Sequence, residues 1–323
     1  RDRSVSRGLG DVYKRQVVIV YVGHDSDFYE ELVRLKQSFP QIVTTKIHLD
    51  PRFPISRKMA LNVGIKSAHY ECMVFTSTDA VPQTDRWLAL MAKGFTRGEI
   101  VVGYCGVERR KGFANYMMRA WRMMHSADWI ARAVRRNPYR GTLHNIGFTK
   151  NIYFGSKGFS HLNMNIGEDD LYMQKVMTHD NVSVILSPRA TLREKMWGGM
   201  RWWMGQLRYY GSAFAFYPQQ VKNYIQWELG SRALFFITAA CALAVMPFEY
   251  KIAALVLVLV RYLLVAIQVR RIARRLGEAG MAGRYFVYDL LSPLWAFLLG
   301  VLLLRRDDRV WSCLLYTSPS PRD

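Results

Sequence analysis

After Gly230 the chain changes character. Ala233–Phe248 and Ile252–Val269 are nearly unbroken apolar runs, and Phe286–Leu304 is a third. Each comes close to the ~20 residues that a helix needs to cross a bilayer. The alternative is a set of buried core helices in a soluble protein. Two of the runs are parted only by "EYK", and three runs in the last third of a chain favour a membrane region over a soluble core on hydropathy grounds.

Between the second and third runs lies "RRIARRLGEAGMAGR". Arginine-rich loops stay on the cytoplasmic side, and with two spans ahead of it, everything before the first span is expected on that side too. "RRDDR" after the third run would then lie outside, against the rule. Asp289 and Pro293 within that run point to a re-entrant or interfacial segment as the alternative to a full span. Arg261 falls midway along the second run, where an unpaired charge is expensive. A polar cavity and a structural pair within a helix bundle are both open to it. Residues 195–217, "KMWGGMRWWMGQLRYYGSAFAFY", mix aromatics with cations, as an interfacial amphipathic helix would.

Ahead of this region, from Val17 to about Ser187, short β-branched runs alternate with amphipathic stretches: "VVIVYV", "FYEELVRLKQSF", "IVTTKI", "SRKMALNVGIKSA", "ECMVFTS". That rhythm predicts strand, helix, strand, helix, strand, and so an α/β domain with a mostly parallel sheet. Residues 84–97 and 113–132 read as further helices, and "EIVVGYCG" and "VSVILS" as further strands.

The formal charge of +20 suits nucleic acid, an anionic membrane or a phosphorylated substrate. Many of the arginines flank the apolar runs, so membrane electrostatics accounts for them better than a nucleic-acid face, and no nucleic-acid partner is expected. Residues 1–16 and 313–323 resemble translated sequencing-adapter sequence and are set aside as non-native. The charge without them is still about +17. Cys72, Cys105 and Cys241 then remain, with no CxxC spacing, which indicates neither a disulfide framework nor a zinc site.

Three places can carry chemistry. Asp79, in "FTSTDAVP", follows a predicted strand, at the edge where open parallel sheets bind ligands. A carboxylate there can hold Mg²⁺ or Mn²⁺ against a diphosphate, although Asp before a proline is also an ordinary turn residue. In "NIGEDDLYMQ", Glu168, Asp169 and Asp170 open a helix-like stretch. The helix dipole favours acids there by ~0.3–1 kcal/mol each, yet three in a row repel one another. Third, Gln206 and Arg208 in "GQLRYY" can grip a diphosphate, Arg by its fork geometry.

In their order and spacing these segments resemble the membrane-associated glycosyltransferases of family 2, which have a GT-A fold. There a segment of the kind "ALNxGxxxAxxExxxFxDADxxP" is followed by an "ED" motif, then by "QxxRW" or a relative, then by membrane helices. Here those read "ALNVGIKSAHYECMVFTSTDAVP", "GEDDL" about ninety residues later, and "GQLRYY". The resemblance covers residues 17–312. It implies a cytoplasmic GT-A domain over 17–228, its first strand missing, with the amphipathic helix near 195–217. A transmembrane region over 229–312 follows, with spans near 233–248, 252–269 and 286–304.

By the same resemblance, Asp79 is the second Asp of the metal- and diphosphate-binding DxD motif, and Ser77 stands at the first. Asp169, within Glu168–Asp170, is the general base, with Asp170 as the substitute. Arg208 is the Arg of the diphosphate- and acceptor-side motif; Gly205 and Tyr209 replace its usual Gln and Trp, and Gln206 stands in for the glutamine. "VYVGHDSD" is similar to the nucleotide-binding "DDGSxD" loop, with Asp25 and Asp27 as candidates. "RGTLHNIGFTKNIYF" is similar to the acceptor-side "GxxxNxxFxK" segment, with Gly141 and Asn145 as candidates. His144 and His161 are read as structural.

The implied enzyme is a multi-pass protein of the cell (inner) membrane. It would transfer a sugar, with inversion and with Mg²⁺ or Mn²⁺, from a nucleotide-sugar (a UDP-sugar is the first to expect) to a lipid or polysaccharide acceptor. The rival expectation is a non-catalytic protein that keeps the fold and binds or scaffolds at the membrane, favoured by Ser77 and by the altered "QxxRW".

Overall fold

The computed structural model describes residues 15–23, 26–48, 56–161, 170–278 and 280–304. The chain divides into two units, with divisions inside two strands, at Met73/Val74 and Gly147/Phe148, and a further one at the end of a helix, at Val176/Met177. The structure is mixed α/β, with three long helices at its C-terminal end.

In the first unit, strand β1 (Val17–Val22), helix α1 (Ser26–Ser38), strand β2 (Ile42–Ile47) and helix α2 (Arg57–Ser67) follow the predicted order. β1 and β2 pair in parallel from Val17↔Ile42 to Val22↔Ile47. Ser56 starts α2, its hydroxyl accepting the Met59 N–H at 3.2 Å, which satisfies one of the helix's orphan donors. The unit also holds the beginning of β3 (Cys72–Thr76), the end of β7 (Asn145–Thr149), α5 (Lys150–Gly155) and α6 (Leu171–Val176). Phe148, Tyr153, Phe159 and Tyr172 interlock here, with ring centroids 4.9–6.2 Å apart.

The second unit contains β4 (Ala80–Pro82), α3 (Trp87–Gly94), β5 (Ile100–Val102), β6 (Cys105–Val107), α4 (Phe113–Val134), β8 (Val182–Val184) and β9 (Leu192–Glu194). A four-stranded sheet runs in the order β3-β7-β5-β8 and a three-stranded one in the order β4-β9-β6. β5 and β8 pair in parallel, as do β6 and β9, while β4 and β9 are antiparallel. The single strand expected from "EIVVGYCG" is therefore two. Gly103 and Tyr104 carry the chain from one sheet to the other, and every residue from Ile100 to Val107 is buried. Met91, Val101, Ile185 and Ala190 form one core cluster, against which Trp87, Leu90 and Phe95 pack. Burial pushes the Cys105 thiol up to about 12, so it is an inert core residue.

The same unit continues into α7 (Met200–Ser212), α8 (Gln219–Val245), α9 (Phe248–Arg275) and α10 (Tyr285–Leu304). α8 and α9 are long and apolar enough to cross a membrane. α10 coincides with the third apolar run and carries Pro293 inside it. Of the two surroundings open to Arg261, the structure has the pair: its guanidinium donates to Asp289 of α10 at 2.6 Å and lies over the rings of Phe235 and Phe236. Arg232 of α8 completes the cluster, donating to Ser292 at 2.7 Å and approaching Asp289 at 3.5 Å. The two residues that most interrupt apolarity in α9 and α10 thus neutralise each other, as ionisable groups within apolar helices must.

Candidate active site

β3 ends at Thr76, and the chain turns back through Ser77–Asp79 into β4. The Ala80 N–H donates to the Ser77 carbonyl at 3.1 Å, and the Ser77 hydroxyl faces the Asp79 N–H at 3.4 Å. The Lys195 N–H donates to the Asp79 carbonyl at 2.9 Å, continuing the β4–β9 ladder in which Ala80 faces Glu194. The turn is held on both sides by backbone bonds, and the Asp79 side chain is half-buried. The donor set, one carboxylate beside one hydroxyl, suits Mg²⁺ or Mn²⁺ bound largely through a ligand's phosphates, since such ions use one or two protein carboxylates and leave other positions to phosphate and water. Among the described residues no group of three or more His, Cys, Asp or Glu side chains could hold an ion alone.

Glu194 is the anchor beneath this turn. Its carboxylate accepts from Arg122 of α4 at 2.9 Å and lies 3.6 Å from His144, all three side chains being less than a tenth exposed. Burial alone would raise the carboxyl, but the His144 hydrogen bond and the Arg122 charge outweigh it and hold it at about 2. A second buried carboxylate, Glu278, comes from the arginine-rich loop between α9 and α10. It accepts from Arg119 at 2.6 Å, from Tyr104 at 2.9 Å and from Arg193 of β9. The loop between the apolar helices is thereby fastened to the strand that braces Asp79. Neither carboxylate was among the sequence candidates. The available signal was Arg119 and Arg122, cations on the apolar face that buries Met118, Met123 and Ala120 of α4, which call for acidic partners somewhere in the fold.

Asn145 is 1 % exposed, and its amide is committed internally. Both N–H groups donate to backbone carbonyls, of Tyr104 at 2.8 Å and Ala190 at 3.0 Å, while its oxygen accepts from the Trp87 indole at 3.0 Å. A Cβ on Gly103 would sit 2.6 Å from this amide, so the strand crossover needs glycine there. Gly141 is likewise packed: a Cβ would come within 2.4 Å of Ile146. On α7, Trp203 and Leu207 are buried, and the Trp203 ring meets that of Trp295 in α10 at 5.1 Å. Arg208 and Gly205 face out and Gln206 is half-buried. The cation of the "GQLRYY" segment is thus free to meet a ligand, whereas the helix's aromatic side is held by the protein.

In the first unit, Asp170 precedes α6. Its side chain is 2 % exposed, its carboxylate accepts the Leu171 N–H at 2.8 Å, and its carbonyl accepts the Gln174 N–H at 2.8 Å. Asp170 is a helix-starting residue. Glu168, Asp169 and Asp25 lie outside the described residues, as do the side chains of Asp27 and His161.

No protein-family model matches the chain, and no curated protein sequence does. Among solved structures, the chain is similar to the mannosyltransferase PcManGT from Pyrobaculum calidifontis in complex with GDP-Man and Mn²⁺. The similarity covers 90 % of this chain and 83 % of that one at 17 % identity, with a TM-score of 0.48.

Proposed function

We propose that the chain is a membrane-bound, inverting glycosyltransferase of GT-A type. It uses a nucleotide-sugar donor, a UDP-sugar first among them, and a lipid or polysaccharide acceptor at the membrane. The observation that carries the reading is Asp79 on a braced turn past the carboxyl end of β3, followed in the chain by the acidic "GEDDL" segment, an outward-facing Arg208 and apolar helices.

In this mechanism Asp79 and Ser77 receive the donor's diphosphate end. Asp79 would hold a divalent ion, which when bound would supply charge to neutralise the departing diphosphate. Asp169 takes the proton of the acceptor hydroxyl as that oxygen attacks the anomeric carbon, the general-base share of the reaction. The burial of Asp170 and its bond to the Leu171 N–H favour Asp169 as the base and Asp170 as the residue that fixes the start of α6. Arg208 clamps phosphate or acceptor close to the membrane, with Gln206 beside it. Asp25 and Asp27 are the candidates for nucleotide contact, and Glu168 is the base's neighbour in sequence. The anchoring of Glu278 onto Arg119 and Arg193 supports a catalytic domain on the same side as the arginine-rich loop, the cytoplasmic face of the inner membrane. Residues 1–16 and 313–323 are taken as adapter-derived.

The test is sugar transfer by the full chain in membranes, with Mg²⁺ or Mn²⁺ and a panel of UDP-, GDP- and dTDP-sugars, compared with Asp169→Asn. Transfer that disappears in the variant supports the assignment; transfer that survives moves the base to Asp170. The hydroxyl of Ser77, where a carboxylate would grip an ion more strongly, favours a second reading as a binding or scaffold protein. Absence of transfer and of donor hydrolysis across the panel is the result that would select it.

A further inference from the structure

We infer that the last two turns of α9 form a binding collar for anionic phospholipid headgroups; this rests on the membrane reading and adds a lipid specificity to it. Arg270, Arg271, Arg274 and Arg275 are all exposed. Among the described residues no ion pair reaches any of them: the carboxylate nearest in sequence, Glu278, is fully buried and taken by Arg119 and Arg193. They stand as two i,i+4 pairs of like charge, an arrangement that is unfavourable until an anion neutralises it.

The position of the collar argues for a bilayer as the source of that anion. The exposed surface of α9 immediately before it is apolar, through Leu255, Leu259, Leu263, Leu264 and Ile267. From Tyr250 to Arg270 the helix rises about 30 Å at 1.5 Å per residue, the thickness of a hydrocarbon core. The arginines therefore arrive where headgroup phosphates lie. On α8, Trp227 is 77 % exposed and stands about one and a half turns before Arg232, the aromatic placement expected at an interface. The collar is also rigidly carried. Val269, Ala273 and Leu276 turn inward, and the Arg193 guanidinium donates to the Leu276 and Gly277 carbonyls. Headgroups bound there would fix the height of β9, and with it the Asp79 turn, above the membrane.

The experiment uses the full chain reconstituted in phosphatidylcholine bilayers with spin-labelled phosphatidylglycerol or phosphatidylcholine, reading the motionally restricted fraction of each. Basic residues at a surface can favour anionic lipid by up to about five-fold each, so a preference for phosphatidylglycerol of at least about three-fold is expected, weakening in 0.5 M salt. The quadruple variant R270Q/R271Q/R274Q/R275Q should lose the preference, and the corresponding quadruple Lys variant should retain it, which separates lost charge from lost folding. Equal restriction of both lipids by the wild type overturns the collar while leaving the membrane reading standing, as does a preference that survives in the Gln variant when the Lys variant is folded. No restricted component for either lipid overturns both.

Discussion

Replacing Glu194 by glutamine tests the buried charge cluster beneath Asp79. In the wild type the carboxyl sits at about 2 because His144 and Arg122 outweigh its burial. The gap from the ordinary value of 4.5 corresponds to about 3 kcal/mol favouring the folded state at neutral pH. The sign follows from the direction: the folded carboxyl is the stronger acid, so its contribution is complete above pH 4.5 and disappears as pH falls through 2. At pH 3 about 1.4 kcal/mol is left. Glu194→Gln also breaks the Arg122–Glu194 pair, in which Arg122 is 4 % exposed, and breaking a buried pair from one side costs ~3–5 kcal/mol. At roughly 2–4 °C per kcal/mol for a domain of this size, thermal unfolding of the variant should come about 6–20 °C earlier at pH 7. The measurement is unfolding of both proteins, followed by near-UV circular dichroism from pH 7 to pH 3. The offset should narrow to less than half at the acid end. An offset that is absent, or equal at both ends, refutes the ion-pair account of this cluster.

Further outcomes follow from the same contacts. Asn145→Ala removes three buried hydrogen bonds, to Trp87, Tyr104 and Ala190, each leaving a partner that costs ~1–3 kcal/mol unsatisfied. It should lower the unfolding temperature strongly, whereas a raised KM with stability unchanged would show a substrate-binding residue instead. Asp289→Asn leaves Arg261 without its counter-charge and should destabilise the helix bundle by ~3–5 kcal/mol, seen as earlier thermal loss of helicity in detergent. Asp170→Ala removes the acceptor of the Leu171 N–H at the start of α6 and should cost ~0.5–2 kcal/mol more than Asp170→Asn, which keeps an acceptor; equal effects in chemical denaturation would remove its helix-starting role.

The sequence exposed what is periodic or local. β1 through β3 and the helices between them were readable because alternation and helical spacing are written within a dozen residues. The turn carrying Asp79 followed from the end of that strand. "EIVVGYCG" read as one strand because nothing local says that Gly103 and Tyr104 serve two sheets; that depends on Asn145, more than forty residues on, taking the Tyr104 carbonyl. The charge clusters were hidden for the same reason: Arg122 and Glu194 are 72 residues apart and Arg119 and Glu278 are 159 apart. Asn145 shows the converse. A residue type suited to binding a hydroxyl is equally suited to tying strands together, and only the positions of Trp87 and the two carbonyls reveal which task occupies its amide.

Sugar transfer is read as incorporation of labelled sugar into lipid or polymer by membranes containing the full chain, run in parallel with Asp79→Asn and Asp169→Asn. Incorporation from at least one nucleotide-sugar is expected, dependent on Mg²⁺ or Mn²⁺, with loss of about 10²-fold or more in each variant. Incorporation that persists unchanged in both variants, or none from any donor with the wild type folded in the membrane, would contradict it.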